Sequence, residues 1–149
     1  MDLAKWRFFV KYFVTYNFIF NKLYVTISTM SKHAREFDQN IVNALSELDW
    51  PLFNNEGRKV FVRSVARNES GFEHIAGKNH YLKVRDILLI PKILKEPLYI
   101  GHEKKGKKTK FYCGLRKGFE KSKYLRIIVR IQKDLTEQIV TIYPNKTLK

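Results

Sequence analysis

Beyond Pro97 the chain changes its period. Before that point apolar residues recur three and four apart; after it they alternate with polar ones. "LYIGH" (98–102), "KFYCG" (110–114), "YLRIIVRI" (124–131) and "QIVTIY" (138–143) each read as a strand, because period-two alternation suits a half-buried strand and not a helix. The connections between them are short, which favours an antiparallel meander. Helical periodicity first and strand periodicity afterwards describes an α+β fold, with N-terminal helices packed on a four-stranded antiparallel β-sheet.

Residues 32–49 predict the first helix: Phe37, Ile41, Leu45 and Leu48 recur at helical spacing with Ala44 beside them, Ser31 stands at the start and Pro51 beyond the end. Residues 56–67 read as a second helix with Val60, Phe61 and Val65 on one face. Residues 81–95 read as a third, with Val84, Ile87 and Leu88 inward, Pro91 breaking or kinking it, and Pro97 stopping the turn that follows.

The strand faces divide the residues further. In YLRIIVRI, Leu125, Ile127, Val129 and Ile131 point one way, and Tyr124, Arg126, Ile128 and Arg130 the other. In the last strand Val140 and Ile142 oppose Ile139, Thr141 and Tyr143; in KFYCG, Phe111 and Cys113 oppose Lys110 and Tyr112. One face is therefore expected to receive the helices, and the other to present Lys110, Tyr112, Arg126, Arg130, Thr141 and Tyr143. Cations, hydroxyls and rings on one face suit a phosphate backbone with stacked bases. An ordinary solvated sheet face alternates in the same way.

Charge points to the same kind of partner. Lys plus Arg number 29 against 14 Asp plus Glu, a formal net charge of +15 in 149 residues. A clustered surplus of this size fits a polyanion, either nucleic acid or an anionic membrane face. "EKKGKKTK" carries Lys104, Lys105, Lys107, Lys108 and Lys110 around Gly106 and reads as a hairpin loop that grips phosphates. Between Lys104 and Lys133 there are twelve basic residues and one acid, Glu120.

The single cysteine, Cys113, excludes an intramolecular disulfide and fits a reducing, cytoplasmic compartment. In its strand it reads as a small buried hydrophobe. Four scattered histidines, at 33, 74, 80 and 102, show no zinc-ligand spacing, so neither metal nor cofactor is expected.

The first 29 residues are aromatic and apolar, but Arg7, Lys11, Asn17, Asn21 and Lys22 interrupt them. The uncharged run from Tyr12 to Phe20 is about half the ~20 residues a membrane helix needs, and stable insertion is not expected. Met30 opens "MSKHAREFDQN" like a natural start, so residues 1–29 read as an extension or a mis-called start, and 30–149 as one domain. Removing 1–29 takes away four basic residues and one acid, and the charge falls only from +15 to +12. A surface-seeking anchor, with the lysines on anionic lipid, is the other reading of that segment.

His80, Arg85 and the strand hydroxyls carry the sharpest signal. "EHIAGKNH" places His80 in an H-x(4)-R spacing with Arg85; I-P-x-I-L-x-x-P follows, then the four strands, and the last strand carries V-T-x-Y-P at 140–144. Over residues 70 to 145 this order resembles the phage-associated branch of the barnase–EndoU–colicin E5/D–RelE (BECR) superfamily of metal-independent ribonucleases. The resemblance implies helices on one face of a four-stranded sheet and RNA on the other. It implies cleavage by the RNA 2′-hydroxyl to a 2′,3′-cyclic phosphate, without metal. It also implies a phage or mobile-element toxin or effector, cytoplasmic or delivered into a target cytoplasm, with a cognate immunity or antitoxin protein as partner. The family histidine falls on His80, its basic partner on Arg85 and its last-strand hydroxyl on Thr141. Independently of the resemblance, the Thr141 and Tyr143 hydroxyls can orient the phosphate. Residues 1–69 match nothing in the pattern.

The chemistry needs a base for the 2′-hydroxyl, an acid for the 5′-oxygen and a cation for the phosphorane. Histidine can serve as either of the first two and arginine as the third. Geometry sets one condition: residues five apart on an ideal helix point about 140° from each other. His80 and Arg85 can share a site only if His80 precedes the helix. A non-catalytic RNA- or DNA-binding module would use the same basic face but needs neither His80 nor Thr141. On both readings Lys104, Lys105, Lys107, Lys108, Lys110, Tyr112, Arg126 and Arg130 are the expected RNA contacts.

Overall fold

Asp38 starts the first helix, α1 (Gln39–Ser46), by accepting a hydrogen bond from the Asn40 N–H at 2.9 Å. Ile41, Ala44 and Leu45 are its buried stripe, with Phe37 and Leu48 partly buried against it. The computed structural model describes residues 36–64, 70–102 and 108–149, and Glu36–Lys149 forms one compact unit. The aromatic segment 1–29, the boundary at residue 30 and the lysines at 104, 105 and 107 lie outside the described residues.

After α1 the chain makes a hairpin rather than a second helix. Strands β1 (Leu52–Phe53) and β2 (Lys59–Val62) pair antiparallel, with Leu52 opposite Val60. Asn54 builds the turn between them: its Oδ1 accepts from the N–H groups of Glu56 and Arg58, and Gly57 takes φ +75°. The helix expected from residue 56 is thereby corrected over Lys59–Val62. Val60 is fully buried while Phe61 is 38% exposed, a period-two pattern that a helical reading puts on one face.

Two short elements follow. Helix α2 (Gly71–Ile75) carries a capping box: Ser70 Oγ accepts from the Glu73 N–H, and Glu73 accepts from the Ser70 N–H. A 3₁₀ turn (Lys78–His80) leads to α3 (Val84–Lys95). Helix α3 runs through Pro91 without being broken into two pieces. Proline in a helix interior costs about 3 kcal/mol, whereas each fully buried aliphatic side chain contributes about 1.5–3 kcal/mol. Ile87, Ile90, Ile93 and Leu94 are all buried, so packing wins. Val84 and Leu88, expected inward, are 43% and 66% exposed on another flank.

The four expected strands are present: β3 (Tyr99–His102), β4 (Thr109–Leu115), β5 (Tyr124–Ile131) and β6 (Glu137–Asn145). They form the expected antiparallel meander, but the sheet is larger. Its order is β1-β2-β6-β5-β4-β3, six strands, with β2 parallel to β6. The fold is α+β with a mixed sheet.

Two face assignments change. Residues directly opposite in an antiparallel pair share a face. Lys110 pairs with Val129, Tyr112 with Ile127 and Gly114 with Leu125, so Lys110 and Tyr112 lie on the helix-covered face. Phe111 and Cys113 pair with Ile128 and Arg126 on the other face. In β6 the register slips where Ile128 faces Thr141 but Val129 faces Ile139. Val140 is the extra residue of a bulge, and Ile139 and Ile142 both enter the core although three residues separate them.

Candidate active site

The turn before α3 is held from several sides. The Lys78 N–H donates to the Glu36 carbonyl at 3.0 Å, and the Asp38 N–H donates to the Ala76 carbonyl at 2.9 Å. The His80 N–H donates to the Gly77 carbonyl at 2.9 Å. Leu82, two residues on, is buried in the core. His80 thus precedes α3, which meets the condition that the sequence set.

The ring of His80 is oriented by one hydrogen bond. Nδ1 lies 2.9 Å from the Ile75 carbonyl oxygen. A carbonyl oxygen only accepts, so Nδ1 carries the hydrogen, and in the neutral ring Nε2 keeps the lone pair. The ring of His74 stands edge-on to that of His80, centroids 6.0 Å apart.

His80 lines a cleft of about 560 Å³. Tyr143 and Pro144 of β6 form another part of its wall, and Arg116, Phe119, Lys121 and Ser122 of the β4–β5 hairpin close a third side. Asn79, Tyr81 and Lys83 flank the histidine. Among the described residues no carboxylate lines this cleft. Lys83 and Lys121 are exposed on its rim, so a negative ligand meets two solvent-facing ammonium groups.

Arg116 is a cation of a different sort. It is buried, and its Nε and Nη2 donate to the two carboxylate oxygens of Asp86 at 2.7 and 2.8 Å. Nη1 donates to the Ser122 carbonyl at 3.0 Å. Asp86 also accepts from the Lys83 N–H at 2.8 Å, which caps the first turn of α3. One bidentate pair therefore ties the start of α3 to the hairpin and fixes the part of the wall that Arg116 forms.

Arg85 is exposed and packs on Phe119, its Cζ 4.1 Å from the ring centroid; Arg116 packs on the same ring at 3.6 Å. Arg85 borders the cleft through Phe119 and is not among its lining residues. Thr141 is half-buried on the strand face of Tyr143, two residues before it, and is likewise outside the lining. Of the four expected catalytic residues, the cleft itself joins His80 and Tyr143.

The expected RNA contacts divide. Lys110 and Tyr112 are corrected: they are buried beneath the sheet in a polar network with Glu137 and Asn54. The Lys110 ammonium pairs with the Glu137 carboxylate. The Tyr112 hydroxyl donates to Glu137 at 2.7 Å and accepts from Asn54 at 3.0 Å. Burial, and then the Glu137 carboxylate, push the Tyr112 phenol above its ordinary pKa. Neither residue can reach a ligand.

Arg126 sits on the far face, in a row with Tyr99, Cys113 and Tyr143. Its Cζ lies 4.2 Å from the Phe111 centroid, and Nη1 makes a long 3.5 Å contact with the Tyr143 hydroxyl. Nε and Nη2 are shielded and have no hydrogen-bond partner among the described residues. Cys113 beside it is fully buried, as a small hydrophobe is expected to be; burial raises its thiol pKa and Arg126 pulls the other way. Arg130 and Lys108 are exposed. Lys104, Lys105 and Lys107 lie outside the described residues.

No family model, curated protein or solved structure matches this chain. The geometry alone describes the cleft's abilities: a histidine nitrogen free to take a proton, a phenol nearby, and cations for an anion. Sequence reading did not single out Arg116, Lys83, Lys121 or Tyr81. One signal pointed to Arg116. Asp86 is an acid between apolar positions of an amphipathic helix, and an inward carboxylate calls for a cation. Among the described residues, no group of three or more His, Cys, Asp or Glu side chains could hold a metal ion, and no helix is long and apolar enough to cross a membrane.

Proposed function

We propose that the protein is an endoribonuclease of the BECR type, a phage or mobile-element toxin or effector. It cleaves RNA by attack of a 2′-hydroxyl on the adjacent phosphorus. The observation that carries this reading is the Ile75 carbonyl holding His80 Nδ1, which frees Nε2 in a cleft rimmed by lysines. His80 Nε2 takes the proton of the 2′-hydroxyl. The O2′–P bond forms and the P–O5′ bond breaks, leaving a 2′,3′-cyclic phosphate. Tyr143 supplies a proton to the departing 5′-oxygen; accepting from Arg126 leaves its own hydrogen free to point into the cleft. Lys83 and Lys121 stabilise the charge that gathers on the phosphorane. Arg116, neutralised by Asp86, holds the wall rather than the substrate. An immunity protein suited to this site would be acidic and cover the cleft.

The test is incubation of the purified chain with total RNA in EDTA, with the product ends read by mass spectrometry. Cyclic phosphate ends in EDTA are expected. Cleavage that needs a divalent ion, or that leaves 3′-hydroxyl ends, overturns the mechanism. Tight RNA binding with no cleavage of any substrate replaces it by the binding-module reading.

A further inference from the structure

We infer that Tyr81 is a stacking platform for the base beside the scissile phosphate, so that the cleft accepts an unpaired nucleotide; this rests on the ribonuclease reading of the same cleft. Tyr81 lines the cleft directly after His80, yet its side chain is 77% exposed. A lone exposed aromatic needs no explanation. This one lines the cleft itself.

Its backbone is fixed on both sides. The Tyr81 N–H closes the 3₁₀ turn on the Lys78 carbonyl, and Leu82 is anchored in the core. Tyr81 itself takes φ +54°, the left-handed region that side chains other than glycine and asparagine seldom adopt. That conformation, kept at some cost, holds Leu82 in the core while leaving the Tyr81 ring outside it. The ring is therefore a flat, wet surface on a fixed backbone, in the same cleft as the nitrogen assigned to take the proton. Lys83 and Lys121 supply the cations that a nucleotide's phosphate would meet while its base lies on the ring.

The substrate class follows from the volume. A cleft of about 560 Å³ suits a ligand the size of one nucleotide. A base in a duplex is stacked on its neighbours and paired, and it must leave both arrangements to lie on Tyr81. Unpaired segments offer the base already free. RNA in loops and single strands should enter, and continuous duplex should not.

The experiment uses a short 2′-O-methyl oligoribonucleotide carrying one 2-aminopurine, which lacks the nucleophile and cannot be cut. Its fluorescence and affinity are measured with the wild-type chain, Tyr81→Ala and Tyr81→Trp. Binding to wild type should quench the probe, and Tyr81→Ala should lose the quenching and bind about 5- to 150-fold more weakly, the range that one base stack carries. Tyr81→Trp should restore both, and annealing the probe to its complement, which by itself quenches the stacked 2-aminopurine, should abolish any further change on adding protein. Unchanged affinity and quenching in Tyr81→Ala, or equal binding of the duplex, overturns the inference. Cleavage of cognate single strands separates the two readings. If wild type cuts RNA and Tyr81→Ala cuts it with the same KM and kcat, the platform fails and the ribonuclease stands. If wild type cuts nothing but the probe behaves as described, the ribonuclease fails and the platform stands.

Discussion

At the scale of single residues, His80 and Lys110 make opposite predictions from similar sequence settings. Each lies in a basic segment, but His80 lines the cleft and Lys110 is 4% exposed beneath the sheet. His80→Ala should cut RNA about 10²–10⁴-fold more slowly, the usual worth of a positioned proton-transfer group, with RNA affinity nearly intact. Single-turnover rates and a binding isotherm on the folded variant check this; a wild-type rate removes His80 from the mechanism. Lys110→Ala should do the reverse. It leaves the Glu137 carboxylate buried with Tyr112 and Asn54 as its remaining side-chain partners among the described residues, and breaking a buried pair in this way costs about 3–5 kcal/mol. Urea unfolding should show that loss, while RNA binding by the folded fraction stays unchanged. The double substitution Lys110→Met with Glu137→Gln should recover much of the stability, because no unpaired buried charge remains.

Among the elements, each local pattern was legible where its own residues decide the outcome. The four C-terminal strands, the core stripe of α1 and a helix ahead of Pro97 follow from spacing alone. What spacing leaves open is which face of a strand turns inward. In β4, Lys110 and Tyr112 go in because Glu137 and Asn54, far along the chain in each direction, wait there to satisfy them. No local rule carries that information. The same holds for β2, whose parallel partner β6 lies more than 70 residues on, and for the bulge at Val140, which lets Ile139 and Ile142 share one face. Of the residues that line the cleft, His80 and Tyr143 stood out in the sequence, but the hairpin residues that complete it did not. Gly114 shows how closely α3 and β4 meet. A Cβ there would run into the side chain of Ile93. Gly114→Ala should therefore cost about 1–3 kcal/mol through overpacking. In an Ile93→Ala background the same substitution should cost less, because the space is released. A double-mutant cycle reads the difference, and strictly additive losses would show that the two do not meet.

For the molecule as a whole, the question is where the charge of +15 acts. Among the described residues two buried cations are matched by carboxylates, Lys110 with Glu137 and Arg116 with Asp86. Lys83 and Lys121 instead bring exposed charge to the cleft. A phosphate backbone held there should release counterions, and each contact should contribute about 0.7 to the slope of log affinity against log salt for a single strand. Lys83→Ala and Lys121→Ala should each flatten that slope by about this amount. Lys95 is the control. It is exposed at the far end of α3, and twelve residues of helical rise put it about 18 Å from Lys83 along the axis. That is roughly twice the distance over which charges are felt at physiological ionic strength, a screening length of about 8 Å. Lys95→Ala lowers the net charge as much as either rim substitution and should leave the slope almost unchanged. Binding isotherms between low and physiological salt decide the matter. Equal flattening by all three substitutions would mean that RNA responds to the overall field and not to this cleft; flattening by the two rim lysines alone would put the backbone of the substrate beside His80.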